Sequence, residues 1–263
     1  MSKSSYNLAT GHNLATGKIL VTGATSGLGR EMVHQFAARG SAVLASGRDA
    51  ARLAELGSID GIEARQLDLS SSGQIPDFCK DISSLSGLVL NAGVTYLGAF
   101  ESGSFETDAA LVQTNVKANL QLIRELLPAL KAGGGHILII ASLGGLTPLP
   151  YQAVYSGSKA FMINFGLALR EELKPEGIKV CVFAPGGIKT GMTDVPAMKG
   201  LEKELAPAAS VAQAAIRAFD DMPPLSVPGA QNKAVAFLSK FLPRSFMASR
   251  TESIYRKSMN RTQ

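Results

Sequence analysis

Two side chains that could exchange a proton with a substrate, Tyr155 and Lys159, lie four residues apart. The sequence around them predicts a helix over 153–173, and a spacing of four residues places both groups on one helix face. A phenol has a pKa of about 10 in water, too high for ready proton exchange near neutral pH, and an adjacent ammonium group favours the phenolate. The pair alone is compatible with acid/base chemistry or with an ordinary exposed helix face.

A glycine-rich turn follows the first apolar run of the chain. Its sequence, Thr22-Gly23-Ala24-Thr25-Ser26-Gly27-Leu28-Gly29, connects that run to a helix predicted over 28–39. Glycines at a strand-to-helix junction allow a tight turn, and the N–H groups at a helix start can face the pyrophosphate of a dinucleotide. The turn therefore predicts a phosphate-binding loop, with a plain strand-to-helix connection as the alternative.

Ser142 and Asn115 are two further candidates for a site. Ser142 ends the apolar run 136–141, and ligands of parallel α/β sheets bind at the C-terminal ends of the strands, where a group that polarises a substrate would be needed. Asn115 lies in the middle of a helix predicted over 105–130, although Asn has modest helix propensity. Taken alone, each residue is explained by a structural role.

The elements that must position these groups alternate along the chain. Short, continuous apolar runs predict strands buried on both faces of a parallel sheet, and the stretches between them are long enough for helices. The runs are 19–22, 42–46, 62–67, 88–90, 136–141 and 179–183. This order predicts an α/β fold, a Rossmann-type doubly wound parallel sheet. We expect a flexible N-terminal segment over 1–17, one domain over 18–230 and a short helical C-terminal extension over 231–263.

Charge and composition exclude several classes of protein. The formal net charge is +5, but the segment from Gln231 onward holds seven Lys or Arg against Glu252 alone, so the preceding 230 residues carry −1. A neutral body without Trp argues against nucleic-acid binding. No apolar run approaches the roughly 20 residues that span a bilayer, and the N-terminus has no apolar signal-peptide core. We therefore expect a cytoplasmic protein.

The cysteines and histidines do not form a recognisable pattern. Cys79 and Cys181 cannot build a disulfide framework and are interpreted as small core residues. His12, His34 and His136 share no metal-ligand spacing. No metal site is predicted.

Together the motifs resemble the short-chain dehydrogenase/reductase family over about residues 18–193. The chain carries its motifs in family order, and the 13-residue interval between Ser142 and Tyr155 also fits. The motifs are the Thr-Gly-x-x-x-Gly-x-Gly turn at 22–29, Asp68 after the third strand, Asn91-Ala92-Gly93 after the fourth, Asn115, Ser142, Tyr155 with Lys159, and Pro185 to Thr190 after the sixth strand.

The resemblance implies a catalytic set of four residues. Tyr155 would be the general acid/base, and Lys159 would lower the pKa of Tyr155 and hold the nicotinamide ribose. Ser142 would hydrogen-bond the substrate oxygen, and Asn115 would hold a water that links Lys159 to solvent in a proton relay. This assignment agrees with the needs of hydride transfer, in which the protein positions a carbonyl, stabilises its oxygen and supplies a proton.

The resemblance also implies a cofactor site. Asp68 and Leu69 would contact the adenine, residues 91–93 would line the cleft, and residues 185–190 would hold the nicotinamide half, with the Ile188 backbone on the carboxamide. The turn at 91–93 has an equally good structural interpretation as a stabiliser of the central sheet. The implied cofactor-binding residues are Gly23, Thr25, Ser26, Gly27, Leu28, Gly29, Arg48, Asp68, Leu69, Asn91, Ala92, Gly93, Tyr155, Lys159, Pro185, Gly186, Ile188 and Thr190.

The end of the second strand predicts NADP(H) as the cofactor. A carboxylate about 20 residues beyond the glycines binds a free ribose 2′-OH, whereas an arginine accommodates a 2′-phosphate. Gly47 stands where the acid would be, and Arg48 follows it. Because a guanidinium matches a phosphate in charge and geometry, we expect NADP(H); a solvated loop cation is the alternative role for Arg48.

These features predict an NADP(H)-dependent oxidoreductase that interconverts a carbonyl and a secondary alcohol, acting as a reductase of an uncharged hydrophobic substrate. The expected substrate pocket comprises 143–151, which is uncharged, and 191–205, which includes Met192, Val195 and Met198. A non-catalytic NADP-binding regulatory protein is the alternative, although a sensor has no need of a proton relay. An isomerase or dehydratase of the extended branch usually carries a long C-terminal substrate domain, which these residues do not include.

The basic C-terminal segment departs from the commonest members of the family. Apolar residues recur at helical spacing from Ala234 to Phe241, and Pro243 predicts a break before a second helix over 244–257. We expect the apolar side chains to pack on the domain or across the interface of a homodimer or homotetramer. Peripheral contact with an anionic membrane is the alternative. The side chains concerned are Phe237, Leu238, Phe241, Leu242 and Phe246.

Overall fold

The structure, a computed structural model, describes residues 17–194 and 205–259. The predicted N-terminal segment therefore lies outside the described residues, apart from Gly17. The strands are β1 Lys18–Thr22, β2 Val43–Gly47, β3 Ile62–Gln66, β4 Leu85–Leu90, β5 His136–Ile140, β6 Val180–Phe183, β7 Ile188–Lys189, β8 Ala206–Pro207 and β9 Leu225–Ser226. The helices are α1 Gly27–Ala38, α2 Ala50–Gly57, α3 Ile75–Cys79, α4 Phe105–Val112, α5 Ala118–Gly133, α6 Ala153–Leu173, α7 Ala208–Asp221, α8 Ala230–Leu238 and α9 Arg244–Met259.

Seven strands form one parallel sheet in the order β3-β2-β1-β4-β5-β6-β9. The chain builds the sheet outward from β1 in one direction and then returns to add β4 on the other side of β1. Ligands of doubly wound sheets bind at the carboxyl ends of the strands beside this reversal. The topology confirms the predicted Rossmann-type fold, and β7 pairs with β8 as a separate parallel ribbon.

The two faces of the sheet carry separate apolar cores, which explains why the strand sequences are continuously apolar. Ile19 and Val21 of β1 belong to the core that includes α1 and α7. Leu20, between them, belongs to the core on the opposite face with α3, α5 and α6. Successive strand side chains point to opposite faces, so a strand covered on both sides must be apolar at every position. Phe36 of α1 and Phe219 of α7 meet edge to face, with ring centroids 5.4 Å apart.

The long helix predicted over 105–130 is present over residues 105–133, but it is not uniform, because a π-helical turn lies between α4 and α5. Helix α4 starts after Ser104, whose hydroxyl accepts a hydrogen bond from the Thr107 N–H, and a π-helical turn over Gln113–Lys117 separates it from α5. Such a turn holds an extra residue and interrupts the regular apolar period. The interruption falls on Asn115, the candidate site residue.

The C-terminal segment forms the two predicted helices on either side of Pro243, but its apolar side chains do not pack on the domain as expected. Phe237 and Phe241 are 60% and 70% exposed, and their rings contact each other at 5.1 Å. Helix α8 is short and buries none of its residues. Burial of these rings at a homo-oligomer interface stays a prediction. Among the described residues, no helix is long and apolar enough to cross a membrane.

Candidate active site

A cavity of about 560 Å³ runs along the carboxyl edge of the sheet. Its walls come from the turns after β1 to β6 and from the first turns of α6. All the residues that the sequence assigned to catalysis or cofactor binding line this cavity, except Gly29 and Asn115. The fold therefore collects groups spread over more than 160 residues of sequence, while their chemical roles stay predictions.

The glycine-rich turn after β1 leaves space for a ligand because its backbone is folded tightly. Gly23 has a φ of +66°, in the left-handed region that favours glycine. A Cβ on Gly29 would lie 2.2 Å from the Gly23 carbonyl oxygen, so Gly29 acts through close packing behind the turn rather than by lining the cavity. Ser26 precedes α1 without a side-chain cap, which leaves the first N–H groups of the helix to an anion.

The turn after β4, residues 91–93, both stabilises the central sheet and lines the cavity. The Asn91 amide donates hydrogen bonds to the carbonyls of Thr22 at 2.9 Å and Gly23 at 3.3 Å. The Asn91 N–H also donates to the Thr22 hydroxyl at 3.0 Å. Asn91 thus fastens β4 to the end of β1, and residues 91–93 line the cavity as well.

Ser142 and Tyr155 both line the cavity, and the Ser142 hydroxyl acts to lower the pKa of the Tyr155 phenol. The loop after Ser142 is fixed to α6, because the Ser156 hydroxyl donates to the Gly144 carbonyl at 2.6 Å and accepts from the Leu149 N–H at 3.2 Å. Ser142 also accepts from the Gly144 N–H at 3.1 Å. This bracing sets the position of Ser142 relative to the helix that carries Tyr155.

Lys159 lies one turn after Tyr155 and is buried, with 6% of its surface exposed. Its ammonium donates to the Ile140 carbonyl at the end of β5, at 2.9 Å, and lies 5.8 Å from the centroid of the Tyr155 ring. Burial lowers the pKa of Lys159 from 10.5 to about 8, because the charged form loses hydration. Lys159 can therefore change its protonation state near physiological pH.

The expectation that the phenol of Tyr155 has a lowered pKa is wrong for the protein alone. Burial raises the pKa of Tyr155, and the Ser142 hydroxyl only partly opposes that rise. Desolvation disfavours the phenolate as it disfavours the ammonium of Lys159. The sequence spacing showed that the two groups share a helix face but not that both are withdrawn from water.

Asn115 lies behind the cavity wall and acts as a clamp. Its amide oxygen accepts from the Val94 N–H at 2.8 Å, and its amide nitrogen donates to the Val94 carbonyl at 2.9 Å and to the Ser158 hydroxyl at 3.1 Å. The side chain thus ties the turn after β4 to α6, while its backbone carbonyl accepts from the Asn119 side chain at 2.9 Å. The proposed water relay stays a prediction, and the clamp is a role that the sequence did not indicate.

The end of the cavity next to β2 and β3 carries two guanidinium groups. Arg48 is exposed, and none of the ion pairs within residues 17–194 and 205–259 includes it. Arg52, which the sequence analysis did not single out, also lines the cavity but pairs with Asp49 at 3.3 Å. Its place one turn after Arg48, at the start of α2, is the signal that could have identified it. Asp68 and Leu69 complete this end.

The other end of the cavity is mostly apolar and extends beyond the predicted pocket segments. Residues 143, 144, 147 and 149 and residues 191–193 line it as expected, whereas Val195 and Met198 lie outside the described residues. Val94, Thr95, Leu97 and Tyr255 line it without having been predicted. Within the described parts of the chain, no group of three or more His, Cys, Asp or Glu side chains could hold a metal ion.

Comparison with known proteins identifies the chain's relatives. The sequence model described as short chain dehydrogenase matches residues 17–199. The chain is 33% identical over 186 residues to the dehydrogenase/reductase SDR family member 7B of Bos taurus, a match that covers 65% of this chain and 57% of the bovine protein. It is 32% identical over 201 residues to an uncharacterized oxidoreductase of Staphylococcus saprophyticus, covering 71% of this chain and 86% of that protein.

A third relative and two solved structures extend the comparison. A 3-ketodihydrosphingosine reductase of Bacteroides thetaiotaomicron is 32% identical over 176 residues, covering 65% of this chain and 64% of that protein. A short-chain dehydrogenase from Streptomyces avermitilis superimposes with a TM-score of 0.77 at 27% identity, over 92% of this chain and 98% of that one. A short-chain dehydrogenase from Sphingobium yanoikuyae in complex with NADPH superimposes with a TM-score of 0.74 at 26% identity, over 89% of this chain and 99% of that one.

Proposed function

The chain belongs to the short-chain dehydrogenase family, and from that premise we propose that it is an NADP(H)-dependent reductase of uncharged, apolar carbonyl compounds. The observation that carries the proposal is that Tyr155, Ser142 and the buried Lys159 line one cavity together with a glycine-rich turn. Two relatives are named as an oxidoreductase and as the reductase of a keto compound, which agrees with this chemistry.

The cavity fits a nicotinamide dinucleotide. The tight approach of Gly29 to Gly23 and the uncapped start of α1 form a cradle for a pyrophosphate. Asp68 and Leu69 would hold the adenine, and residues 185–190 together with Lys159 would hold the nicotinamide half. Arg48, which forms no ion pair with any residue that the structure describes, favours a 2′-phosphate, and the structure in complex with NADPH from Sphingobium yanoikuyae agrees with that choice.

When bound, NADPH would supply the hydride for the carbonyl carbon, and the side chains of this chain would supply the proton and position the substrate. The Tyr155 hydroxyl donates its proton to the carbonyl oxygen as negative charge develops there. Ser142, which lines the same cavity, holds the same oxygen through a hydrogen bond. Lys159 stabilises the phenolate that forms, and Asn115 holds the wall behind these groups.

The nature of the substrate follows from the cavity wall. Charged side chains of the described lining are Arg48, Arg52, Asp68 and Lys159, of which the first three lie at the adenosine end. The opposite end presents Leu97, Leu149 and Met192 among uncharged groups. An anionic or strongly polar substrate would lose its hydration there without a partner, so an apolar ketone or aldehyde is the favoured class.

The test is a panel of ketones and aldehydes of increasing apolar size, with NADPH oxidation followed by absorbance. Tyr155→Phe should lower turnover by about 10²- to 10⁴-fold while NADPH binding is retained. Tyr96→Phe is the matched control, because Tyr96 does not line the main cavity. Near-normal turnover by Tyr155→Phe would refute the mechanism. NADPH binding without turnover of any panel member would instead support a regulatory protein.

A further inference from the structure

The C-terminal helix reaches back over the substrate end of the cavity. Tyr255 of α9 lines the same cavity as Tyr155, although 100 residues separate them in sequence. The Tyr255 hydroxyl donates to the Gln152 side-chain oxygen at 3.2 Å. Gln152 directly precedes α6 and lies one helical turn before Tyr155. The C-terminal segment thus contributes a side chain to the cavity that contains Tyr155.

A second contact holds α9 at this position, and a third fixes the Gln152 side chain that Tyr255 contacts. The Tyr151 hydroxyl donates to the Glu252 carboxylate at 2.9 Å, three residues before Tyr255 on the same helix. The Gln152 amide nitrogen donates to the Thr95 hydroxyl at 2.8 Å, so both ends of the Gln152 side chain are engaged. The links join α9 to the start of α6 and to the turn after β4, which are two walls of the cavity.

The backbone at Tyr151 supports this arrangement. Tyr151 has a φ of +63°, in the left-handed region that non-glycine residues rarely adopt. Its carbonyl accepts from the Gly98 N–H at 2.9 Å, and its side chain reaches Glu252. A bulky residue in this region is unfavourable and persists where surrounding contacts hold it. Here those contacts fix the junction between the cavity rim and α9.

We propose that α9 completes the substrate site and that the ring of Tyr255 contacts the apolar part of the carbonyl compound, so that Tyr255 determines which substrates are accepted. The proposal rests on the reductase function proposed above. The Tyr255 ring lines the same cavity as Leu97, Leu149 and Met192, and such uncharged side chains suit an alkyl or aryl group distant from the reacting carbonyl. The residue would act on binding rather than on proton transfer.

Kinetic variants separate a substrate contact from a merely structural role. With NADPH and 2-decanone, Tyr255→Ala should raise KM about tenfold and leave kcat within about twofold, while KM for the small ketone 2-butanone stays near the wild-type value. Tyr255→Phe, which keeps the ring, should resemble the wild type in this selectivity. Ile254→Ala is the matched control, because Ile254 is 52% exposed on the neighbouring position of the helix. Equal effects on both ketones, or none, would overturn the proposal.

A labelling experiment tests whether residue 255 contacts the substrate without relying on turnover. The native Cys79 and Cys181 are buried, and burial raises the pKa of each thiol to about 12, so they give little background. In Tyr255→Cys, 2-decanone with NADP⁺ should slow modification by N-phenylmaleimide severalfold, whereas Ile254→Cys should react at an unchanged rate. If the ketone protects the cysteine introduced at position 255 but the wild type shows no turnover, position 255 still contacts the ligand and the proposed reductase function is refuted. If the ketone gives no protection, the proposal that residue 255 contacts the substrate is overturned, whatever the activity.

Discussion

Replacing Arg48 by Ala removes the guanidinium at the end of the cavity proposed to hold the adenosine; this group takes part in no ion pair among the described residues. In the unmodified protein we expect NADPH to bind at least tenfold more tightly than NADH. The reason is that a 2′-phosphate would gain a charge-assisted hydrogen bond from Arg48, which a 2′-hydroxyl cannot match. Arg48→Ala should therefore weaken NADPH binding and leave NADH binding nearly unchanged.

The size of the effect follows from the surroundings of Arg48. Charge-assisted hydrogen bonds contribute about 1.5–3 kcal/mol, and the exposure of Arg48 to solvent places its contribution at or just below the lower limit. About 1.4 kcal/mol corresponds to a tenfold change in Kd. Arg52 lines the same end but already pairs with Asp49 at 3.3 Å, so it should replace only part of the loss. We expect a loss of five- to tenfold, a figure of roughly 1–1.4 kcal/mol.

Replacing Gly47 and Arg48 alone should not reverse the expected preference for NADPH over NADH; a third substitution is needed. Gly47→Asp with Arg48→Ala would introduce the carboxylate that binds a 2′-hydroxyl. However, a Cβ on Gly47 would lie 2.7 Å from the Thr25 methyl group. Because Thr25 belongs to the phosphate-binding turn, we expect the double variant to lose affinity for both cofactors. Adding Thr25→Ser removes that methyl group and should restore NADH binding.

Titration by NADPH and NADH fluorescence measures these affinities directly, because the chain contains no Trp. Lys80→Ala, at an exposed cation outside the cavity, is the control for a general charge effect. Equal affinities for the two cofactors in the unmodified protein would refute the reasoning. So would an Arg48→Ala variant with an unchanged ratio.

Three further substitutions test the positions behind the site. Asn115→Ala removes three buried hydrogen bonds and should lower the free energy of unfolding by about 2–4 kcal/mol in urea titrations; a loss below about 1 kcal/mol would contradict the clamp. Gly29→Ala should abolish NADPH binding measured by fluorescence, because its Cβ would meet the Gly23 carbonyl at 2.2 Å, and retained affinity would contradict the close packing. The pKa of Lys159 is about 8 in the folded protein, below its ordinary value of 10.5. Between these two pH values the unfolded chain binds more protons than the folded chain, so the free energy of unfolding of the wild type should rise with pH. Relative to Lys159→Met, the gain should be about 1 kcal/mol per pH unit between pH 8 and 10, and parallel pH profiles of unfolding would contradict it.

Secondary structure was predicted well where the local signal was strong. The helix over 153–173 matches α6, and each of the six apolar runs contains or overlaps a strand of the main sheet. Burial on both faces leaves a direct imprint on the sequence of the central strands, which are mostly apolar, whereas the edge strand β3 carries Glu63, Arg65 and Gln66. The long helix over 105–130 is present as α4, a π-helical turn and α5, but the π-helical turn itself was not predicted. That turn is held by contacts between Asn115 and residues distant in sequence, Val94 and Ser158, which no local pattern records.

The sequence by itself determined the doubly wound sheet, its glycine-rich turn and the residues that meet at its carboxyl edge, because these depend on period, spacing and motif order. Only the tertiary structure decided how water is excluded from Tyr155 and Lys159, and hence the directions of their pKa shifts. It also decided that Thr25 crowds Gly47 and that Tyr255 returns to the cavity of Tyr155. Desolvation and close contact depend on distances between segments far apart in the chain, and those distances exist only after the chain has folded.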